Sequence, residues 1–221
     1  MSGVGVEAVF FDFGGVFISS PFAAAAEAAR QRGIPEDELL ELVFGPYDLD
    51  GDHPWHRLER GELSFADTTA AIAELAAAAG HQGVDPMDVL MALATERSVR
   101  DFMVDLVRDL RSRGLATGII TNNIAEFGEA WRAMIPVDEL FDDIVDSSAV
   151  GLRKPNPAIY LLACERLGVA PEAALFIDDH EGNVAGARAV GMGAVWCGLS
   201  VETTRAAADE LLALVGSTAT T

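Results

Sequence analysis

The 221-residue chain predicts an α/β protein: a doubly wound parallel sheet with a small all-helical domain inserted after the first strand. Three observations carry that expectation. Short, nearly continuous apolar runs recur at 7–12, 116–121, 143–146, 174–178 and 193–197, as strands covered on both faces require. Helical patterns at 99–113, 124–134, 157–167 and 183–190 separate the later runs, which implies right-handed crossovers. Residues 18–96 hold no comparable strand.

The first run reads Val9-Phe10-Phe11-Asp12-Phe13-Gly14-Gly15-Val16. An apolar strand stops at a carboxylate followed by two glycines, where backbone amides can close around an anion. A buried Asp is uncommon unless it is paired or coordinates metal. The plain alternative is an Asx-type turn. Within the insert, 23–30, 35–44, 64–79 and 86–96 read as helices; Ser64 with Asp67 resembles a capping box, and Asp85-Pro86 an N-cap followed by proline. Linkers near 16–20 and 95–99 divide the chain into a core of 1–17 with 97–221 and an insert of 18–96. Asp48-Leu49-Asp50-Gly51-Asp52 lacks the spacing and terminal Glu of a calcium loop and reads as a solvated turn. Beside it His53, Trp55 and His56 could line the substrate side of the insert, with Trp55 the more natural anchor between helices. Phe17 and Phe22, near the linker, could help close a crevice.

In the core, Gly118-Ile119-Ile120-Thr121-Asn122-Asn123 is a strand ending in hydroxyl and amide groups, and Leu175-Phe176-Ile177-Asp178-Asp179 one ending in two carboxylates. Asn156 can cap a helix with Pro157 at its first position and Gly168 after its last turn. Gly114 and Gly191 likewise end helices before strands begin. Residues 216–221 read as a frayed tail.

Half the residues are hydrophobic, 23% are charged, and the formal net charge is −20. That field disfavours nucleic acid and anionic membranes as partners, and any phosphate site must be made locally positive. Cys164 and Cys197 read as small core residues rather than a disulfide framework. The opening residues lack a basic region, and no apolar run reaches membrane-spanning length, so the expected location is the cytoplasm. Oligomeric state is unreadable.

Parallel sheets gather ligands at the carboxyl ends of their strands. Asp12, Thr121, Lys154 (in Lys154-Pro155-Asn156-Pro157) and Asp178-Asp179 would therefore converge. In this order the four segments resemble motifs one to four of the haloacid dehalogenase (HAD) superfamily over about residues 6–200. Phe13-Gly14-Gly15-Val16 and the stretch from Trp55 to Glu62 are similar to the subgroup containing the N-terminal phosphatase domain of soluble epoxide hydrolases. The resemblance implies a Rossmann-like core, a helical cap over the crevice and Mg²⁺-dependent hydrolysis of a small phosphorylated metabolite. It makes Asp12 the nucleophile and a metal ligand, and Lys154 the stabiliser of charge on the transferring group. It gives Asp179 as the direct metal ligand, Asp178 as acting through water or on Lys154, and the Gly14 carbonyl as a further ligand. Thr121, the amides of Asn122 and Asn123, and that of Gly15 would hold the phosphoryl oxygens.

One departure matters. Phosphatases of this superfamily carry a second Asp two residues after the nucleophile as general acid and base; here that residue is Gly14. General acid-base catalysis contributes roughly 10²- to 10⁴-fold. Three outcomes follow: slow turnover or restriction to good leaving groups, substitution by another residue such as His180, or loss of hydrolysis. His180 also reads as a surface turn residue. The alternatives to a phosphatase are a non-catalytic phosphate-binding protein and a metal-independent 2-haloacid dehalogenase, against which the carboxylate pair argues.

Overall fold

A computed structural model describes residues 5–81, 84, 85, 87, 99–128 and 130–218. The five apolar runs form β1 (Ala8–Phe11), β2 (Ala116–Thr121), β3 (Asp143–Asp146), β4 (Ala174–Asp178) and β5 (Gly193–Trp196). They make one parallel sheet of order β3-β2-β1-β4-β5. β1 lies at its centre, with Phe11 in register with Ile119 on one side and Ile177 on the other. Asp12, Asn122 and Asp179 therefore leave three adjacent strands at one edge.

The helices are α1 (Pro21–Arg32), α2 (Glu36–Phe44), α3 (Pro54–Glu59), α4 (Phe65–Ala78), α5 (Asp101–Ser112) and α6 (Val137–Leu140). They continue with α7 (Ser147–Val150), α8 (Pro157–Leu167), α9 (Glu181–Ala189) and α10 (Val201–Thr218). Alternating side chains of β1 feed opposite faces of the sheet. Val9 and Phe11 pack with Met103, Val107 and Leu110 of α5 and Leu211 of α10. Ala8 and Phe10 pack with Ile159, Tyr160 and Ala163 of α8 and Val184 of α9. Each fully buried Phe, Ile or Leu contributes about 1.5–3 kcal/mol through the water it sheds. Helices α1 to α4 bury a third cluster, including Leu39, Phe44, Trp55, Leu58 and Ile72, which Ile124 joins from beyond the end of β2. Among the described residues, no helix is long and apolar enough to cross a membrane.

Local chemistry explains the boundaries. The Asn156 side chain accepts from the Ala158 N–H at 3.0 Å and Gly168 closes α8, so this helix runs as predicted. In α4, Ser64 Oγ accepts from the Asp67 N–H and donates to its carboxylate, a reciprocal cap. α1 begins ahead of the expected position because Ser20 caps it and Pro21 takes its first turn.

Three expectations need correction. Residues 124–134 are not one α-helix: the described part holds two short 3₁₀ turns, Ala125–Phe127 and Arg132–Met134. Gly128, at φ +49°, ends the first in a conformation that side chains with a Cβ rarely adopt. Gly216 to Thr218 belong to α10, a helix not anticipated, rather than to a frayed tail. The Asp48–Asp52 stretch is not simply solvated, since Asp50 bonds Arg60 at 2.5 Å and Asn156 at 2.8 Å. Short α3 was also unforeseen; Pro54 starts it and His53 Nδ1 accepts from the Trp55 N–H. The helix expected at 86–96 lies almost wholly outside the described residues.

Candidate active site

Strand termini bring the first carboxylate into place. Asp12 follows β1 and its N–H donates to Ile177 O at 2.9 Å, which fixes the tip of one strand against the next. Asp178 closes β4, and Asp179 follows it. Oxygens of Asp12, Asp178 and Asp179 lie within 4.8 Å of one another, and all three residues are buried. Lys154, itself 1% exposed, donates to Asp12 Oδ1 at 2.8 Å and Asp178 Oδ2 at 2.7 Å.

Asp178 is fully bonded: it also accepts from the His180 N–H at 2.7 Å and from Asn183 Nδ2 at 3.1 Å. Asp179 differs, because its buried Oδ2 has no hydrogen-bond partner. It lies directly against Gly15, where φ is +72° and a Cβ would collide with the carboxylate. Only glycine suits both demands at that position. Behind the turn, Arg100 donates to Gly15 O and to Thr204 Oγ1, a support the sequence reading did not find.

Three carboxylates against one ammonium leave an excess of negative charge in a dry place. Two like charges this close repel by about 3 kcal/mol even at an effective dielectric near 20. Burial pushes the Asp12 carboxyl up to about 6, with Lys154 opposing and Asp178 adding to the rise. Burial, then Asp178 and Asp12, hold Asp179 well above the usual carboxylate range. Lys154 is pulled down by burial but carried above its ordinary value by Asp12 and Asp178. An orphaned carboxylate oxygen, two hard-oxygen neighbours and unrelieved negative charge fit a small divalent cation.

A cavity of about 200 Å³ opens beside the strand tips, lined by Phe13 and Gly14 after Asp12 and by Thr121 and Asn122 at the end of β2. Asp12, Lys154, Asp178 and Asp179 are not among its lining residues. The remaining predicted residues divide. Asn122 turns to the Lys154 backbone, accepting from its N–H at 2.8 Å and donating to its carbonyl at 3.1 Å. The Asn123 N–H goes to Ser147 Oγ at 2.9 Å, and its carboxamide to Asp146 at 2.7 Å, so both donors are engaged away from the carboxylates. Gly14 leaves room for a side chain: a Cβ would meet Pro21 Cδ at an ordinary 3.6 Å.

His180 is half-buried rather than an open turn residue; its ring sits 5.0 Å from both Phe22 and Tyr47, and burial lowers its pKa. His56 is fully buried with Nδ1 accepting from the Gly51 N–H, and neither it nor His53 lines the cavity. Trp55 is the anchor expected, edge-on to Phe44 at 4.9 Å. Phe22 lines the cavity, whereas Phe17 is buried in the core against Phe11, Phe13 and Phe141.

A buried relay escaped the sequence reading. Glu59 on α3 accepts from Tyr47 Oη at 2.7 Å, Trp55 Nε1 at 2.9 Å and Arg153 Nε at 2.7 Å. Tyr47 Oη in turn accepts from Asn122, which fixes Lys154. The helices before residue 80 are thereby linked to the lysine that holds Asp12.

A family model for haloacid dehalogenase-like hydrolases matches residues 6–191. The chain belongs to that family. Among curated relatives, it is 29% identical over 213 residues to mouse acyl-CoA dehydrogenase family member 10, covering 95% of this chain and 19% of that protein. It is 26% identical over 195 residues to mouse bifunctional epoxide hydrolase 2, covering 82% of this chain and 34% of that one. The chain thus spans about a fifth and a third of these relatives. A phosphatase of Mycobacterium tuberculosis is 31% identical over 193 residues, 85% of each chain. Two solved structures share the fold. One is a HAD family enzyme from Bacteroides thetaiotaomicron in complex with magnesium and inorganic phosphate, with TM-score 0.60, 19% identity, and coverage of 89% of this chain and 96% of that. The other is the L-2-haloacid dehalogenase of Xanthobacter autotrophicus with chloropropionic acid covalently bound, with TM-score 0.58, 23% identity, and coverage of 90% and 80%. This HAD-like hydrolase therefore has phosphatase-like relatives and a buried acidic cluster suited to a metal.

Proposed function

We propose that this hydrolase cleaves small phosphomonoesters, with Asp12 as nucleophile and Mg²⁺ held by Asp12, Asp179 and the Gly14 carbonyl. The reading rests on one observation above all: three buried carboxylates within 4.8 Å of one another, one carrying an oxygen with no partner. When bound, Mg²⁺ would neutralise that charge and polarise the phosphoryl group. Asp12 attacks phosphorus and the ester oxygen departs; water then cleaves the acyl phosphate and restores the carboxylate. Lys154 offsets charge gathering on the transferring group, an effect on the order of 3 kcal/mol in comparable sites. Asp178 orients Lys154 through their 2.7 Å ion pair. Thr121, with the amides of Gly15 and Asn122, receives the phosphoryl oxygens; Asn123 is set aside because its N–H belongs to Ser147. The inserted segment 18–96, whose described part carries α1 to α4, serves as the cap over the crevice. Excluding bulk water from the acyl phosphate is its physical purpose.

The test is phosphate release from an aryl phosphate with and without Mg²⁺. Turnover should require the cation and disappear in Asp12→Asn; activity surviving that substitution removes the nucleophile. Gly14 favours a second reading, a protein that binds phosphate without hydrolysing it. Saturable phosphate binding with no release from any ester would establish that reading. Halide release from a 2-haloacid without Mg²⁺ would instead mark a dehalogenase.

A further inference from the structure

We infer that the substrate is a phosphomonoester whose departing group is an uncharged apolar ring on an already acidic hydroxyl, a phenol or an enol. This deepens the phosphomonoester reading and rests on it. Two independent features of the cavity lead there. Much of its lining is aromatic and apolar, including Phe22, Phe44, Trp55, Phe127, Trp131 and Met134. At about 200 Å³ the space suits one ring or a fused pair. No Lys, Arg or His is among the described lining residues, and the one charged side chain there is Glu59. A carboxylate or second phosphate on the departing group would lose water without gaining a cation from the described lining.

The second feature is the supply of protons. An alkoxide cannot leave without one, because its conjugate acid is nearly as weak as water, whereas a phenol ionises near pH 10. Gly14 has no side chain to give a proton. The Glu59 carboxylate is occupied by Arg153, Tyr47 and Trp55. Tyr47 donates its own proton to Glu59, and Asn122 and Asn123 are spent on Lys154 and Asp146. The Thr121 hydroxyl does not titrate near neutrality. Among the described residues, no lining side chain is a free acid. The chemistry then balances as follows. Asp12 forms its bond to phosphorus, and the P–O bond breaks with its electron pair on the ring oxygen. The phenolate or enolate leaves as such and takes a proton from solvent. Water next attacks phosphorus, the Asp12–phosphorus linkage opens, and the water's proton ends on phosphate or in solvent.

The experiment is steady-state kinetics with Mg²⁺ on phenyl phosphates of graded phenol acidity, cyclohexyl phosphate, 4-carboxyphenyl phosphate and glycerol 3-phosphate. kcat/KM should fall steeply as the phenol becomes less acidic. Cyclohexyl phosphate, matched in ring size, should lie roughly 10²-fold or more below phenyl phosphate. Phe127→Ala, at a 41% exposed wall residue, should raise KM for phenyl phosphate several-fold. Gly14→Asp should increase turnover of the cyclohexyl ester far more than of the phenyl ester. Equal turnover of cyclohexyl and phenyl esters, or preference for 4-carboxyphenyl phosphate or for the polar alkyl ester glycerol 3-phosphate, overturns the inference while the phosphatase reading stands. Phosphate released from none of them overturns both.

Discussion

At Asp179 a carboxylate is buried beside two others, one of its oxygens bonds nothing, and its proton is held more tightly than usual. Asp12 shares the burial and the tightened proton, titrating near 3.8 in an unfolded chain and about 6 in place. The folded state therefore binds that proton more tightly than the unfolded one. The resulting stability is complete below about pH 4 and is lost as pH rises through 6, on the order of 3 kcal/mol for Asp12. Without metal, Tm should decline between pH 5 and 7.5. Added Mg²⁺ should raise it at pH 7.5 and do little at pH 5, because ligands must shed protons to bind. Asp179→Asn removes the buried charge, so metal-free Tm at pH 7.5 should increase by several degrees and the Mg²⁺ response should vanish. Calorimetry reads both; an unchanged Mg²⁺ response in that variant would place the cation elsewhere. Asp12, Asp178 and Asp179 were legible in the sequence because strand direction alone puts them at one edge. Asn123 was not, since its donors are decided by Ser147 and Asp146, which only the fold brings near.

Elements are joined around the site by Glu59 of α3 and Arg153, 94 residues apart in sequence. Both are essentially inaccessible, and Arg153 also lies over the Tyr47 ring at 4.6 Å. Removing one partner of such a pair strands the other charge in a dry interior, at a cost of about 3–5 kcal/mol. Glu59→Ala should lower the urea midpoint by that equivalent, whereas Tyr47→Phe, which loses its hydrogen bond to the Glu59 carboxylate and the weaker one accepted from Asn122, should cost about 1.5–3 kcal/mol. Equal, small effects for both would show that the relay carries no strain to the core. Pairs like this explain what sequence could not supply. The motif residues announce themselves by position on strands, but Glu59 and Arg153 acquire meaning only from each other. Elements followed the same logic. β3, β4 and α8 matched their predicted bounds because burial pattern and caps agree there. Residues 124–134 misled because an apolar, Ala-containing pattern imitates a helix until Gly128 breaks it, and α3 is too short to show a period.

Over the whole molecule the formal charge of −20 opposes the chemistry at the centre. A phosphomonoester is itself anionic near neutrality, so the distant field repels it even though Lys154 and a bound cation would attract it at contact. These two influences differ in range. Salt at about 0.1 M shortens electrostatic reach to roughly 10 Å, which weakens the surface field while leaving the buried 2.7 and 2.8 Å pairs of Lys154 nearly untouched. Capture should then improve with salt and the chemical step should not. Between 10 and 200 mM of an inert salt, kcat/KM for phenyl phosphate should rise by about two- to tenfold, the scale on which steering operates, with kcat constant. Stopped-time assays at saturating Mg²⁺ separate the two parameters. A fall in kcat/KM with salt would mean that the crevice projects a positive field beyond its mouth, and that the acidity of the surface is irrelevant to how substrate arrives.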